Sequence, residues 1–263
     1  MTQGPPRIFD RKAIAARRAR AKDLDIIGIN AGLRDRIALV NRTFDATLEI
    51  DHAMLDDSET LLATPGEYDL VVSQPILHAV NDLPGVLVQI RRTLKPDGLF
   101  LGAMFGGDTL TELRQSLAAA ELETANGISP RVAPFGDVRD LGGLLQRAGF
   151  ALPVADMERT TVRYCDLAGL VRDLRVMGET NVLAERSRKP MSRAMLSAAA
   201  QYYAQHFADP DGKLRATFDV VYLTGWSPHE SQQQPLKPGS ARARLADALG
   251  TTEITTGEKP ARR

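Results

Sequence analysis

The chain has few of the residues that stabilise small secreted proteins or bind zinc. It has one cysteine, Cys165, among 263 residues, so no disulfide can form within it, and its four histidines are scattered. Neither a disulfide framework nor a zinc-type ligand spacing is therefore present. Aromatic residues make up only 5% of the sequence. A chain of this length buries about 70–75% of its unfolded surface without such cross-links, so we expect a globular protein of a reducing compartment with no metal site.

Long apolar runs and an excess of one charge are also missing. The longest nearly apolar run, residues 98–107, is far too short to cross a bilayer. No hydrophobic signal-peptide core stands near the N-terminus. The 33 basic residues balance 33 acidic ones, which argues against a nucleic-acid-binding surface. These absences predict a cytoplasmic protein with no nucleic-acid partner.

Basic residues are nevertheless concentrated near the N-terminus. Residues 7–22 contain seven Arg and Lys residues among several alanines, which predicts a basic helix from about Asp10 within an N-terminal arm, residues 1–25. The helix either packs on the body with a solvated face or offers a surface to an anionic partner, at most a peripheral membrane contact. An Arg-rich organellar presequence is a third alternative, and the acidic residues Asp10, Asp23 and Asp25 count against it.

From about residue 37, strand and helix patterns alternate along the chain. Apolar segments predict strands at residues 47–50, 68–73, 98–105, 159–164 and 217–224. Helical periodicity predicts helices at residues 82–94, 109–123, 138–148, 167–177 and 192–207. This order predicts an α/β domain over residues 26–235: a doubly wound, mostly parallel Rossmann-like sheet with helices on both faces and an antiparallel C-terminal strand. The polar tail, residues 236–263, is predicted to end in disorder.

Several segments resemble known proteins. Residues 68–84 and 94–101 resemble the fourth and fifth strands, with their adjoining loops, of class I S-adenosylmethionine (SAM) methyltransferases. Five shorter segments are similar to the mitochondrial complex I assembly methyltransferase-like proteins and their α-proteobacterial relatives, and distantly to the biotin-pathway malonyl-carrier-protein methyltransferase. These segments are residues 102–110, 129–131, 140–145, 177–181 and 225–232.

The resemblance, which covers about residues 67–250, implies a function as well as a fold. It implies a SAM-dependent methyltransferase-like protein that acts in respiratory complex I assembly and modifies a side chain of a complex I subunit. The modification would be methylation or, as suggested for the mitochondrial relatives, arginine hydroxylation.

The sequence departs from the family where the cofactor binds. Family members that bind SAM carry a glycine-rich turn after the first strand and an acidic residue at the end of the second. Here no glycine occurs between Gly32 and Gly66, and only 17 residues separate Ile50 from Tyr68. The first crossover is therefore predicted to be truncated, with the second strand missing. Two alternatives follow: a SAM enzyme with an unusual loop, or a non-catalytic assembly factor that no longer binds SAM.

Candidate site residues follow the predicted strands, because ligands bind beyond the carboxyl ends of strands in such sheets. His78 is a catalytic candidate because imidazole transfers protons near neutral pH. Asp108, after two glycines, is the other, although helix capping explains it equally well. The candidates for SAM binding are Glu49, Asp51, Asp57, Ser73 and Gln74. The candidates for substrate binding are Asn81, Thr109, Glu179, Asn181, Trp226 and His229, for which packing or capping is the alternative.

Overall fold

The structure is a computed structural model that describes residues 7–22, 25, 27–125, 127–233 and 250–252. The chain divides into two units, Met1–His229 and Glu230–Arg263. All the helices and strands named below belong to the first unit. Most of the predicted tail, residues 236–263, lies outside the described residues.

Five strands form one sheet in the order β1-β2-β3-β5-β4. The strands are β1 (Thr47–Ile50), β2 (Tyr68–Ser73), β3 (Leu94–Gly106), β4 (Ala151–Tyr164) and β5 (Leu214–Trp226). Strands β1, β2 and β3 pair in parallel, whereas β5 is antiparallel to both of its neighbours, β3 and β4. The predicted mostly parallel sheet with an antiparallel last strand is confirmed.

The described part of the chain forms seven α-helices, none of which is both long and apolar enough to cross a membrane. They are α1 (Arg11–Arg18), α2 (Ile29–Ala38), α3 (Leu83–Thr93), α4 (Thr111–Ala125), α5 (Val138–Arg147), α6 (Leu167–Val176) and α7 (Arg193–Phe207). The basic N-terminal helix is confirmed, with Asp10 as its N-cap. Helix α2 was not predicted; it follows Gly28, which has a left-handed φ of 77° and gives no side-chain cap.

Helices cover both faces of the sheet, as predicted. On β3, Leu101 and Ala103 join an apolar cluster that includes buried residues of α2, α4, α6 and α7. Phe100 and Met104, on the opposite face of the strand, pack with α3 and α5. This alternation follows from the period of two residues along a strand, and it makes β3 the centre of the core.

Three strands begin earlier than predicted: β3, β4 and β5, the last of which begins at Leu214 and not at residue 217. Strand β3 begins at Leu94 and not at residue 98, because Tyr68 of β2 pairs with Leu94 before a register shift. The last residue of the helix predicted over residues 82–94 is therefore the first residue of the strand. Strand β4 begins at Ala151, not at residue 159, because it pairs with β5 as far as Trp226. The exposed side chains on β4 hid this length from the apolar pattern.

The first crossover is truncated, as predicted. Strand β1 pairs directly with β2 at the edge of the sheet. Between them, the described residues 51–67 form a 3-10 helix (His52–Met54) and loops, with neither an α-helix nor a further strand. The sheet therefore ends at the strand beside which the family places its cofactor.

Candidate functional site

A cavity of about 910 Å³ opens where β2 and β3 end, and we call it the cleft. Its inner surface includes buried or half-buried apolar side chains from β3, α4, β5 and the loops between them. These include Phe105, Leu113, Leu117, Phe135 and Phe218. Pockets for small ligands usually enclose about 300–1,000 Å³, so the cleft is large enough to hold one.

The mouth of the cleft is strongly basic. Nine of its lining residues are Arg or Lys, whereas Glu179 is the one acidic residue among them in the described part of the chain. Two of the nine form ion pairs with described residues: Arg131 with Glu121 at 2.7 Å, and Arg186 with Asp10 at 3.0 Å. The other seven are Arg17, Arg20, Lys22, Arg172, Arg175, Arg188 and Lys189. Charges of one sign that line a concave surface attract ligands of the opposite sign.

A buried ionic cluster connects three segments at the inner end of the cleft. The His78 side chain is 3% exposed, and its Nε2 lies 3.1 Å from Oε2 of Glu179, while Arg18 pairs with the other oxygen of the same carboxylate. Burial by itself raises the pKa of Glu179, but the charges of His78 and Arg18 outweigh it and hold that pKa below its ordinary value. Because an ionised carboxylate only accepts hydrogen bonds, Nε2 of His78 carries a hydrogen atom.

The other ring nitrogen of His78, Nδ1, is buried and has no hydrogen-bond partner among the described residues. Its ring packs edge-on against Phe105 with the ring centroids 4.9 Å apart. His78 belongs to a short 3-10 helix (Leu77–Ala79) after β2, which brings its ring to the wall of the cleft. The predicted candidate His78 is thus a lining residue with one unused hydrogen-bonding atom.

The neighbouring edge of the sheet, at the ends of β1 and β2, is closed. Helix α1 contacts the loops there: Arg11 donates to the carbonyl of Leu55 at 2.7 Å, and Arg18 donates to the carbonyl of Pro75 at 3.0 Å. The space left among these segments is about 10 Å³. That volume is about enough for one water molecule, so the edge holds no cavity of cofactor size.

The predicted SAM-binding residues lie at or near this closed edge. Asp51 accepts hydrogen bonds from the backbone of Ala53 and Met54 and thus caps the 3-10 helix. Ser73 is fully buried and donates to the carbonyl of Gln74 at 3.0 Å. Of the three remaining candidates, Glu49 and Asp57 are exposed and Gln74 is half-buried. None of the five lines the cleft.

The structure brings some of the predicted substrate-binding residues together and separates others. Thr109, Glu179 and Asn181 line the cleft with His78. The Thr109 hydroxyl, however, already donates to the carbonyl of Gly106 at 2.7 Å. Asn81 lies outside the lining and bridges the N-terminal segment to a buried acid, with 2.8 Å contacts to Phe9 and Glu59.

Three candidates do not reach the cleft. The Asp108 side chain is 65% exposed and pairs with Arg159 at 2.8 Å. Trp226 pairs with Leu99, near the beginning of β3, because antiparallel β5 returns the chain to the opposite edge of the sheet. His229, three residues later, follows Trp226 at that edge. An antiparallel strand ends at the opposite edge of the sheet from its neighbours, so a position after β5 does not bring a side chain to the cleft.

The basic residues of the mouth were not predicted as site residues. Arg172 and Arg175 are exposed on α6, three positions apart and therefore on one face of the helix. That spacing is visible in the sequence. The sequence does not show the path of the loop that carries Arg188 and Lys189 to the same cavity.

Comparison with known proteins agrees with this fold. A family model described as a methyltransferase domain matches residues 9–153. The chain belongs to the methyltransferase domain family. The resemblance stated from the sequence is thereby confirmed, and family membership supports S-adenosyl-L-methionine as the cofactor of this domain.

Named relatives of this methyltransferase-domain protein fall into two groups. "Arginine-hydroxylase NDUFAF5, mitochondrial" of Homo sapiens is 47% identical over 189 residues, covering 72% of this chain and 54% of the relative. The protein of the same name from Danio rerio is 44% identical over 194 residues, covering 74% and 60%. "Malonyl-[acyl-carrier protein] O-methyltransferase" of Xylella fastidiosa (strain M23) is 36% identical over 172 residues, covering 65% and 56%. The chain thus spans little more than half the length of these relatives.

The residues at the expected cofactor position do not fit SAM. The space between α1 and the loops after β1 and β2 is about 10 Å³. No glycine occurs between Gly32 and Gly66 to let the backbone approach a ligand. The cleft is large enough, but SAM carries a sulfonium and an ammonium group against one carboxylate. Its net positive charge is repelled by the seven basic lining residues that form no ion pair with a described residue.

Proposed function

We propose that this methyltransferase-domain protein acts in respiratory complex I assembly as a binding factor that works without SAM. The observation that carries the proposal is the contrast between about 10 Å³ of space at the cofactor edge and a neighbouring cleft of about 910 Å³. A closed cofactor edge beside an open cleft suits a protein that kept the fold for binding. The partner would be a complex I subunit, as the similarity to the NDUFAF5 proteins suggests.

The N-terminal helix supports this proposal. Ala13 and Ile14 of α1 are buried, and Arg11 and Arg18 are committed to the loops after β1 and β2. The helix thus packs on the body, which was one of the sequence-based alternatives. We propose a location in the bacterial cytoplasm, with at most a peripheral contact at the inner membrane.

SAM-dependent modification of a protein side chain is the second candidate function. Family membership and the position of His78 in the cleft favour it. It would require α1 to leave the cofactor edge, breaking the contacts of Arg11 and Arg18. An arginine substrate would also meet repulsion from the basic mouth. For hydroxylation, the described residues contain no group of three His, Cys, Asp or Glu side chains that could hold a metal ion.

A thermal-shift titration with SAM and S-adenosylhomocysteine separates the two candidates. A ligand at a hundred times its dissociation constant stabilises the folded state by about 2.7 kcal/mol, which raises the melting temperature of a domain of this size by several degrees. We expect no rise at millimolar ligand, while the Xylella fastidiosa methyltransferase, as the control, shows one. A clear rise would contradict the proposal and favour the enzyme.

A gene deletion in the host tests the assembly role. We expect membranes of the deletion strain to lose NADH dehydrogenase activity of complex I, and a plasmid copy of the gene to restore it. Unchanged activity in the deletion strain would contradict a role in assembly.

A further inference from the structure

The cleft combines an apolar inner surface with a basic mouth. Its inner surface is apolar, and Phe135, Val171 and Met191 are half-buried there, so that each leaves part of its side chain uncovered. Its mouth carries exposed cations from three separate segments of the chain. These are Arg20, Lys22, Arg172, Arg175, Arg188 and Lys189.

Electrostatic repulsion makes this convergence costly without an anion. The six exposed cations form no ion pair with any described residue. Like charges gathered around one cavity destabilise the folded state by mutual repulsion. A bound anion would relieve that repulsion, whereas a neutral or cationic ligand would not.

Buried polar atoms in the wall provide an independent indication of a ligand. Nδ1 of His78, Oγ1 of Thr180 and Nε of Arg17 are each buried without a partner among the described residues, and all three residues line the cleft. Buried polar groups in folded proteins nearly always have a hydrogen-bond partner. A carboxylate or phosphate could accept hydrogen bonds from the hydroxyl, the guanidinium and a protonated imidazole.

We propose that the cleft binds an anionic amphiphile, a molecule with a carboxylate or phosphate head and an alkyl or acyl chain. The head lies among the cations of the mouth and the unpartnered polar atoms, and the chain lies along the apolar inner surface. A bare anion would leave the apolar surface in water, and a neutral lipid would leave the cations unpaired. The inference goes beyond the proposed function and does not depend on whether SAM binds.

Titration calorimetry with a homologous series of ligands tests both halves of the site. The probes are butanoate, octanoate and dodecanoate below their micelle concentrations, with dodecyltrimethylammonium as a cationic ligand of equal chain length. We expect the dissociation constant to fall roughly fourfold per added methylene until the apolar surface is covered. The cationic ligand is expected not to bind.

Matched variants test the head-group contact. In Arg172→Gln/Arg175→Gln, both exposed on α6, we expect dodecanoate to bind about tenfold more weakly. The control is Arg139→Gln/Arg147→Gln, which removes two exposed charges from α5, on the other face of the sheet. Circular dichroism shows whether each variant is folded, and the control is expected to bind like the unmodified protein.

Three outcomes would overturn the proposal. Affinity that does not change with chain length would reveal only a general attraction for anions. Equal affinities of the two double variants for dodecanoate would mean that the cations of the mouth do not contact the head group. Binding to phosphatidylglycerol vesicles without binding to dodecanoate would point to a membrane surface in place of a single bound amphiphile.

Discussion

Nε2 of His78 and Oε2 of Glu179 lie 3.1 Å apart across 101 residues of sequence. Arg18 of α1 pairs with the other oxygen of the same carboxylate. Glu179 therefore joins the N-terminal helix, the loop after β2 and the end of α6. The same three segments form part of the wall of the cleft and close the cofactor edge. One carboxylate thus holds both features in place.

Replacing Glu179 by Gln should destabilise the protein strongly. The side chain is 17% exposed, and its loss leaves Arg18, at 6% exposure, without its ion-pair partner. Breaking a buried ion pair on one side typically costs about 3–5 kcal/mol. Urea denaturation at pH 7 measures the loss of unfolding free energy. Glu185→Gln, an exposed position in the following loop, is the control and should change it by less than about 0.5 kcal/mol.

Glu121 should make stability depend on acid pH. Burial raises the pKa of Glu121, but hydrogen bonds from Arg131 and Ser129 outweigh it and lower that pKa to about 2. Because its pKa is lower in the folded state than in the unfolded state, Glu121 stabilises the fold at pH values above the ordinary glutamate pKa, about 4.3. This contribution, on the order of 3 kcal/mol, is lost as the pH falls from that value toward 2.

The measurement is the urea unfolding free energy of the unmodified protein and of Glu121→Gln between pH 7 and pH 3. We expect the difference between them to be largest at pH 7 and to shrink below about pH 4.3. A difference that stays constant with pH would mean that the carboxylate charge of Glu121 does not stabilise the fold.

Gly32 on α2 should tolerate no larger side chain. An alanine Cβ there would lie 2.1 Å from the hydroxyl oxygen of Tyr222. The Tyr222 ring is 3% exposed and is covered by the Arg36 guanidinium 3.5 Å above it, so it cannot move aside easily. We expect Gly32→Ala to cost about 1–3 kcal/mol. Gly143→Ala, where a Cβ meets nothing within 4 Å, should be neutral or stabilise by up to about 1 kcal/mol because alanine favours helices.

The sequence was sufficient to predict the fold and the truncated crossover between β1 and β2. Periodicity located every strand, and the short spacing from Ile50 to Tyr68 indicated the missing crossover because too few residues remain for a helix and a strand. Helix α2 was missed because its N-cap residue, Gly28, has no side chain and the helix has no strong apolar face. A helix or strand can thus be predicted from the sequence when its own residues show clear apolar periodicity or a capping residue.

The candidate site was only half predictable. His78 was a candidate because it lies in the loop after β2 and it lines the cleft, whereas the cations of the mouth come from residues near both 20 and 180 of the chain. Their meeting depends on loop paths, which periodicity does not encode. Trp226 was associated with the site by composition, but the antiparallel direction of β5 carries it to the other edge.

The buried carboxylate of Asp219 supports the turn beneath the cleft. This carboxylate accepts hydrogen bonds from Nε of Arg159 at 2.6 Å, from Nη2 of Arg159 at 2.7 Å and from the backbone of Asp108 at 2.8 Å. Burial raises the pKa of Asp219, but these donors outweigh it and keep that pKa below its ordinary value. The carboxylate is therefore ionised at pH 7 and fully satisfied.

Asp219→Asn should therefore cost about 2–4 kcal/mol, because an amide cannot accept both guanidinium bonds and leaves its own N–H atoms buried. Asp108→Asn is the matched control. Asp108 contacts the same Arg159, but its side chain is 65% exposed, so the loss should stay below about 1 kcal/mol. Urea denaturation of both variants measures the difference. Equal losses of unfolding free energy in the two variants would contradict this prediction. They would mean that Arg159 stabilises the protein through its exposed pair with Asp108, and that the carboxylate of Asp219 does not hold the turn before Thr109.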